Sequence, residues 1–330
     1  MRPSPVVPTI DLEARGIQHG HLRLPWSRDE SAWGNLMIPI SVIGGGEGAT
    51  ALLTGASHGD EYEGPVALVD LARRLTAEEV HGRVIIVPFM NYPAFRAGRR
   101  LSPIDGGNMN RLFPGRPDGT VTERIADFFQ RTLLPMADVV LDFHSGGRTL
   151  DFVPFAASHL LADKDQEARC AAARDAFAAP YAMTMLEIDA AGMYDSAAEA
   201  LGKVFVTTEL GGGGTATARS VAIAARGARN LLKHAGILQG ELDTAPSVRL
   251  DMPSPDCFTF SEGEGLVEPC VDLGQDVLAG DLLLRVHPTD RLGRPPLECR
   301  ARLDGVFAAR HFPGLVGLGD CLAVVATVSG

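Results

Sequence analysis

The stretch VVLDFHSGG, residues 139–147, begins with the apolar run VVL, passes through Asp142 and Phe143, and ends in polar side chains and glycine. A half-exposed strand would alternate apolar with polar residues, so the continuous run predicts a strand buried on both faces. TALLTG (50–55), RVIIVPF (83–89) and KVFVTTEL (203–210) read the same way, and NLMIPISVI (35–43) reads as a further strand. Between them lie helical patterns. EGPVALVDLARRL (63–75) is amphipathic, and TATARSVAIAARGARNLLKHAG (215–236) is a long helix stopped by Gly236. A third helix opens at Thr120, because Thr120 and Glu123 have the T-x-x-E spacing of a capping box. Strands alternating with helices at this spacing predict an α/β fold, a parallel or mixed sheet flanked by helices on both faces.

The pattern changes after about residue 245. Turns rich in Gly, Pro and Asp separate short apolar runs such as VLAGDLLLRV and CLAVVATV, with no helical periodicity. Residues 1–245 are therefore expected to form a catalytic α/β domain, and 246–330 a small all-β domain. The two-fold rhythm of VDLGQDVLAGDLLLRV and LVGLGDCLAVVA resembles a biotinyl/lipoyl barrel-sandwich. Residues 241–330 contain no lysine, so this part cannot carry a lysine-linked biotin or lipoate.

Of the 330 residues, 45% are hydrophobic and 22% charged, the composition of a soluble globular chain. Forty-one acidic against 30 basic side chains give a net charge of −11. Nucleic-acid binding needs a basic face to neutralise phosphates, so that class is excluded. Five scattered cysteines with no CxxC pair make no disulfide framework, and a reducing cytoplasm is expected. The N-terminal stretch lacks an apolar signal core, and no apolar run approaches the ~20 residues of a membrane span.

Four motifs carry chemistry. In GASHGDEYEG (55–64) His58 and Glu61 stand three apart on a loop leaving a strand. His144 sits at the carboxyl end of the strand 139–144, where sites of open α/β sheets are built. Either motif alone recurs by chance. Together two imidazoles and one carboxylate would leave a tetrahedral zinc one open position for water, the arrangement of a catalytic site. In GGNMNRLFPG (106–115) Arg111 offers a planar fork for a carboxylate, and Asn110 an amide beside it. Arg99 and Arg100, just upstream, are both placed to reach a developing oxyanion. In VTTELGGGG (206–214) Glu209 ends a strand before four glycines, suiting a partly desolvated general base.

The order H-x-x-E, N-x-N-R, D-x-H-S-G and a strand-end Glu before glycines resembles the succinylglutamate desuccinylase/aspartoacylase family, which is related to the zinc carboxypeptidases. The resemblance covers essentially the whole chain, the β module included. It implies a zinc-carboxypeptidase-like fold and a zinc-dependent amidohydrolase acting on a small N-acyl amino acid. It further implies one Zn²⁺ per chain on His58, Glu61 and His144, and Glu209 as the general base. Asn110 and Arg111 would hold the substrate carboxylate. Arg100, in preference to Arg99, would stabilise the tetrahedral intermediate. A homo-oligomer is expected.

The substrate's other end is read from charge. Between Arg174 and Lys203 there is no Lys or Arg, but there are Asp175, Glu187, Asp189, Asp195 and Glu199. If this segment walls the pocket, it favours a cationic substrate end and repels a dicarboxylate, with Glu187 and Asp189 as candidate contacts. The alternatives are another N-acyl amino acid deacylase of the family, a metallocarboxypeptidase, and a non-catalytic binding protein that keeps the fold.

Overall fold

In a computed structural model describing residues 2–329, the strands 139–144, 50–55 and 204–209 lie side by side at the centre of one large mixed sheet. All three are parallel, with Val139–His144 between Thr50–Gly55 and Val204–Glu209. Their side chains segregate with the two-residue period of a strand. Leu53, Leu141, Phe143 and Val206 enter the core on one face, while Leu52, Val140 and Phe205 enter the core on the other.

The first core is closed by the helices Glu63–Arg74, Lys164–Phe177 and Ala218–His234, through Leu68, Leu71, Phe177, Ala224, Ala228 and Leu231. The second is closed by the helices Val121–Phe128 and Tyr194–Glu199, through Ile125, Phe128, Tyr194 and Ala198. The Thr120–Glu123 capping box forms as expected, and Thr217 with Ser220 caps the long helix in the same manner. The sheet extends on one side through Arg83–Val87, Asn35–Gly44 and Gly16–Pro25. This last strand lies in a region that carries no clear strand signal in the sequence.

On the other side Phe155–Ser158 runs antiparallel to Val204–Glu209, and Tyr181–Thr184 runs parallel to Phe155–Ser158. Val248–Asp251 then pairs with Tyr181–Thr184, and Cys321–Val328 pairs with Val248–Asp251. The hydrogen-bonded sheet therefore crosses residue 245 without a break. Beyond it, a separate four-stranded antiparallel sheet packs on the strands Gly305–His311 and Cys321–Val328 around Leu283, Val286, Phe307 and Val325. All five cysteines are free thiols. No helix among the described residues is long and apolar enough to cross a membrane.

Register places the site. Glu209 is directly opposite His144, and Gly55 is opposite Phe143. The three central strands thus end at one level, and the loops that follow them converge there.

Candidate metal and catalytic site

The loop after Gly55 is polar yet fully buried from Ala56 to Glu61. It is held by contacts that leave it little freedom. Ala56 takes a left-handed φ of 51°, fixed by the Asn91 amide donating to its carbonyl at 3.0 Å. The Gly59 amide donates to the Arg99 carbonyl at 3.0 Å, and a Cβ at Gly59 would come within 2.0 Å of the Ala94 carbonyl carbon. Asp60 accepts the Arg148 amide at 2.9 Å, tying this loop to the one after His144.

Held this way, His58, Glu61 and His144 converge. Glu61 Oε1 is 2.8 Å from His58 Nδ1, and its Oε2 is 3.0 Å from His144 Nδ1. The ligand-type atoms of all three lie within 4.8 Å of one another. Each ring's far nitrogen faces an acceptor. His58 Nε2 is 3.1 Å from Asn108 Oδ1, and His144 Nε2 is 2.8 Å from Asp142 Oδ2. Those acceptors favour the Nε2–H tautomer and turn both Nδ1 lone pairs towards Glu61.

The electrostatics call for a cation here. Burial alone would raise the Glu61 pKa, but the adjacent His58 and His144 outweigh it and hold the carboxyl well below its ordinary range. Burial would lower His144, yet Asp142 and Glu61 on either side push it well above 6.5. Two carboxylates around one imidazole stabilise positive charge between them, whether a proton or a metal ion. Two nitrogens and one carboxylate are the donor set of catalytic zinc, so the residues fit that ion.

A cavity of about 440 Å³ opens on this cluster. Glu209 lines it; its Oε2 is buried without a hydrogen-bond partner. Burial, and then the charge of Glu61, pushes its pKa well above that of an ordinary carboxylic acid. Arg100 also lines the cavity, with Nη1 3.2 Å from His58 Nδ1 and 3.7 Å from Glu61 Oε1. Arg99 is absent from the lining and contributes its carbonyl to Gly59. Asn110 and Arg111 line the wall. Asn110 Oδ1 accepts the Tyr194 amide at 2.9 Å, so its NH₂ is the group left to donate to a ligand. The four glycines after Leu210 all take positive φ, and a Cβ at Gly212 would sit 2.0 Å from the Leu150 carbonyl oxygen. That run lets the chain turn away from Glu209 at close quarters.

Of the five acidic residues between Arg174 and Lys203, Glu187, Asp189 and Asp195 line the cavity. Asp175 instead pairs with Arg174 and Arg249, and Glu199 with His159. The β module supplies Phe258, Phe260 and Val324 to the wall, so it covers part of the site.

Several residues of the site escape the sequence reading. Asp142 is two residues from His144 on one strand, a spacing that puts both side chains on the same face, and this signal was available. Asn108 meets His58 across 50 residues and left no such signal. Glu63 is a buried carboxyl raised to about 7, burial being the largest cause, beside Ser145.

A mixed sheet whose parallel central strands carry this donor set and a carboxylate at their ends is the architecture of an amidohydrolase. The chain belongs to the succinylglutamate desuccinylase/aspartoacylase family, whose catalytic-domain profile matches residues 47–235. A Halomonas elongata protein named N-alpha-acetyl-L-2,4-diaminobutyric acid deacetylase is 58% identical, over 99% of this chain and 96% of its own. The product-bound structure of the ectoine utilization protein EutE (DoeB) from Ruegeria pomeroyi superposes with a TM-score of 0.98 at 64% identity. It covers 99% of this chain and 100% of that one. A succinylglutamate desuccinylase/aspartoacylase from Rhodobacter sphaeroides, 40% identical, superposes at 0.94 over 99% of this chain and 100% of its own.

Proposed function

We propose that this chain removes the acetyl group from N-alpha-acetyl-L-2,4-diaminobutyrate by hydrolysis, as a step in ectoine breakdown. One zinc ion would be held by His58, Glu61 and His144. The observation that carries the chemistry is the single cavity joining this donor set to an unpartnered Glu209 oxygen and to Arg100 and Arg111. Near full-length similarity to the Halomonas elongata deacetylase supports the substrate. The five free cysteines support a reducing cytoplasm, and self-association remains an accompanying expectation.

Zinc held there would supply Lewis acidity, making water acidic enough to lose a proton near neutral pH. The protein's side chains do the rest. Arg111 and the Asn110 amide grip the α-carboxylate, fixing the acetyl carbonyl next to the donor set. Glu209 takes a proton from the attacking water, and Arg100 donates N–H to the oxygen on which negative charge develops. Glu209 then returns the proton to the departing amine. Water and the acetamide become acetate and diaminobutyrate, with no other reactant.

The test is a panel of N-acyl amino acids assayed with zinc-loaded and chelator-treated protein. The highest kcat/KM should fall on acetyl-diaminobutyrate and vanish on chelation. Faster turnover of acetylaspartate, succinylglutamate or peptides with a free C-terminus would replace this reading with one of its rivals. Metal-independent turnover would remove the zinc mechanism.

A further inference from the structure

One group of side chains has no part in the chemistry above. His159 is largely buried among three carboxylates. Its Nδ1 is 2.8 Å from Glu199 Oε1, and its Nε2 is 3.7 Å from Glu187 Oε1 and lacks a hydrogen-bond partner. Ligand-type atoms of His159, Glu187 and Asp195 lie within 4.8 Å of one another. Even with His159 protonated, three carboxylates face one cation. Among the described residues, no Lys or Arg other than Arg100 and Arg111 lines the cavity on which Glu187 and Asp195 open.

Asp195 points to what is missing. It is only 5% exposed, yet it lines the cavity. Its Oδ1 takes the amide and hydroxyl of Ser196, while its Oδ2 has neither a hydrogen bond nor an ion-pair partner among the described residues. A carboxylate of a largely buried side chain that keeps one oxygen bare towards a cavity is placed to be completed by a ligand. Burial raises its pKa, the nearby His159 opposes that shift, and Glu187 adds to it.

The position suits a short substrate. Tyr194, next to Asp195, donates its amide to Asn110 at 2.9 Å, and the Gly192 carbonyl accepts the Phe113 amide at 3.0 Å. The segment carrying the bare acid and the loop carrying the carboxylate grip are thus stitched together. A ligand with a carboxylate and an ammonium a few carbons apart can meet both.

We infer that Asp195 and Glu187 form the subsite for the positively charged end of the substrate, with His159 as a positioning residue that holds Glu187 and Glu199. This rests on the deacetylase reading above and names the groups that select its cationic substrate. The subsite discriminates by charge: an ammonium completes Asp195, whereas a second carboxylate would face like charge.

The test compares Nα-acetyl-diaminobutyrate with Nα-acetyl-norvaline, in which a methyl replaces the ammonium, on zinc-loaded wild type and on Asp195→Asn, Glu187→Gln and His159→Gln. Wild type should prefer the cationic substrate. Asp195→Asn and Glu187→Gln should each shrink that preference at least about tenfold, mainly through KM. His159→Gln should raise KM for the cationic substrate more than it lowers kcat. Preference unchanged in both carboxylate variants, or equal losses on both substrates, would overturn the subsite. Glu187→Gln, at a partly exposed position, keeps the test valid should Asp195→Asn fold poorly. Wild type that ignores acetyl-diaminobutyrate altogether would sink the deacetylase reading, and the subsite with it. The two failures are told apart because only the first two results appear in the variants alone.

Discussion

His144 Nε2 lies 2.8 Å from Asp142 Oδ2, two residues back on the same strand, while Thr54 Oγ1 donates at 2.8 Å to the other oxygen. Asp142 is 1% exposed and accepts from both sides. Asn at this position would present an NH₂ to one of two donors. Asp142→Asn should therefore disturb the His144 tautomer and lower metal affinity or kcat/KM by about 10- to 100-fold. Competition with a graded chelator measures the first quantity. Unchanged affinity and rate would show that the strand alone orients His144.

Glu209 sits opposite His144, and its Oε2 has no hydrogen-bond partner among the described residues. Glu209→Gln should thus leave metal content at one ion per chain while turnover falls by about 10²- to 10⁴-fold. Metal analysis and single-turnover rates on one preparation check both halves. Near-normal turnover would assign the proton transfer elsewhere.

Gly59 has no room for a methyl group. Gly59→Ala would drive its Cβ into the Ala94 backbone, and the loop carrying His58 and Glu61 would have to move. The expected result is a folded protein with weakened metal binding and a loss of about 1–3 kcal/mol in stability, the usual range for overpacking. Denaturant unfolding with and without zinc separates the two. Native-like metal affinity would mean the loop can shift without moving the ligands.

His159 predicts a pH dependence. Its folded pKa is raised to about 10; burial opposes the shift, and Glu187 and Glu199 outweigh it. The unfolded value is near 6.5, so its stabilising contribution is complete below that pH and is lost as pH rises towards 10. One proton limits the slope to about 1.4 kcal/mol per pH unit. Urea midpoints at pH 7, 8 and 9 should fall more steeply in wild type than in His159→Gln. Parallel slopes would mean the imidazole stays neutral.

What the sequence displays of this structure follows from how local each signal is. The strands ending at Gly55, His144 and Glu209 are legible because burial on both faces leaves short, mainly apolar and β-branched runs. The helix after Thr120 is legible because its capping box is four residues long. The spacing of His58 and Glu61 marks a candidate ligand pair, although only the sheet register brings His144 to them. The Asn108 contact, the His159 cluster and the bare Asp195 oxygen depend on folding distant loops together, and no local period encodes them. For Asn110 and Arg111, side-chain chemistry offers a carboxylate fork and an amide, and the family pattern adds the α-carboxylate role proposed for them.

The sheet that runs past residue 245 sets the order in which the molecule can be completed. Tyr181–Thr184 waits for Val248–Asp251, which in turn waits for Cys321–Val328, made much later in synthesis. A chain stopped at 245 should keep an unpaired strand edge and an open cavity wall, and should aggregate on expression rather than hydrolyse anything. Turnover is then a property only of the finished chain. A nascent chain holds His58, Glu61, His144 and Glu209 long before it holds the wall that Phe258, Phe260 and Val324 provide.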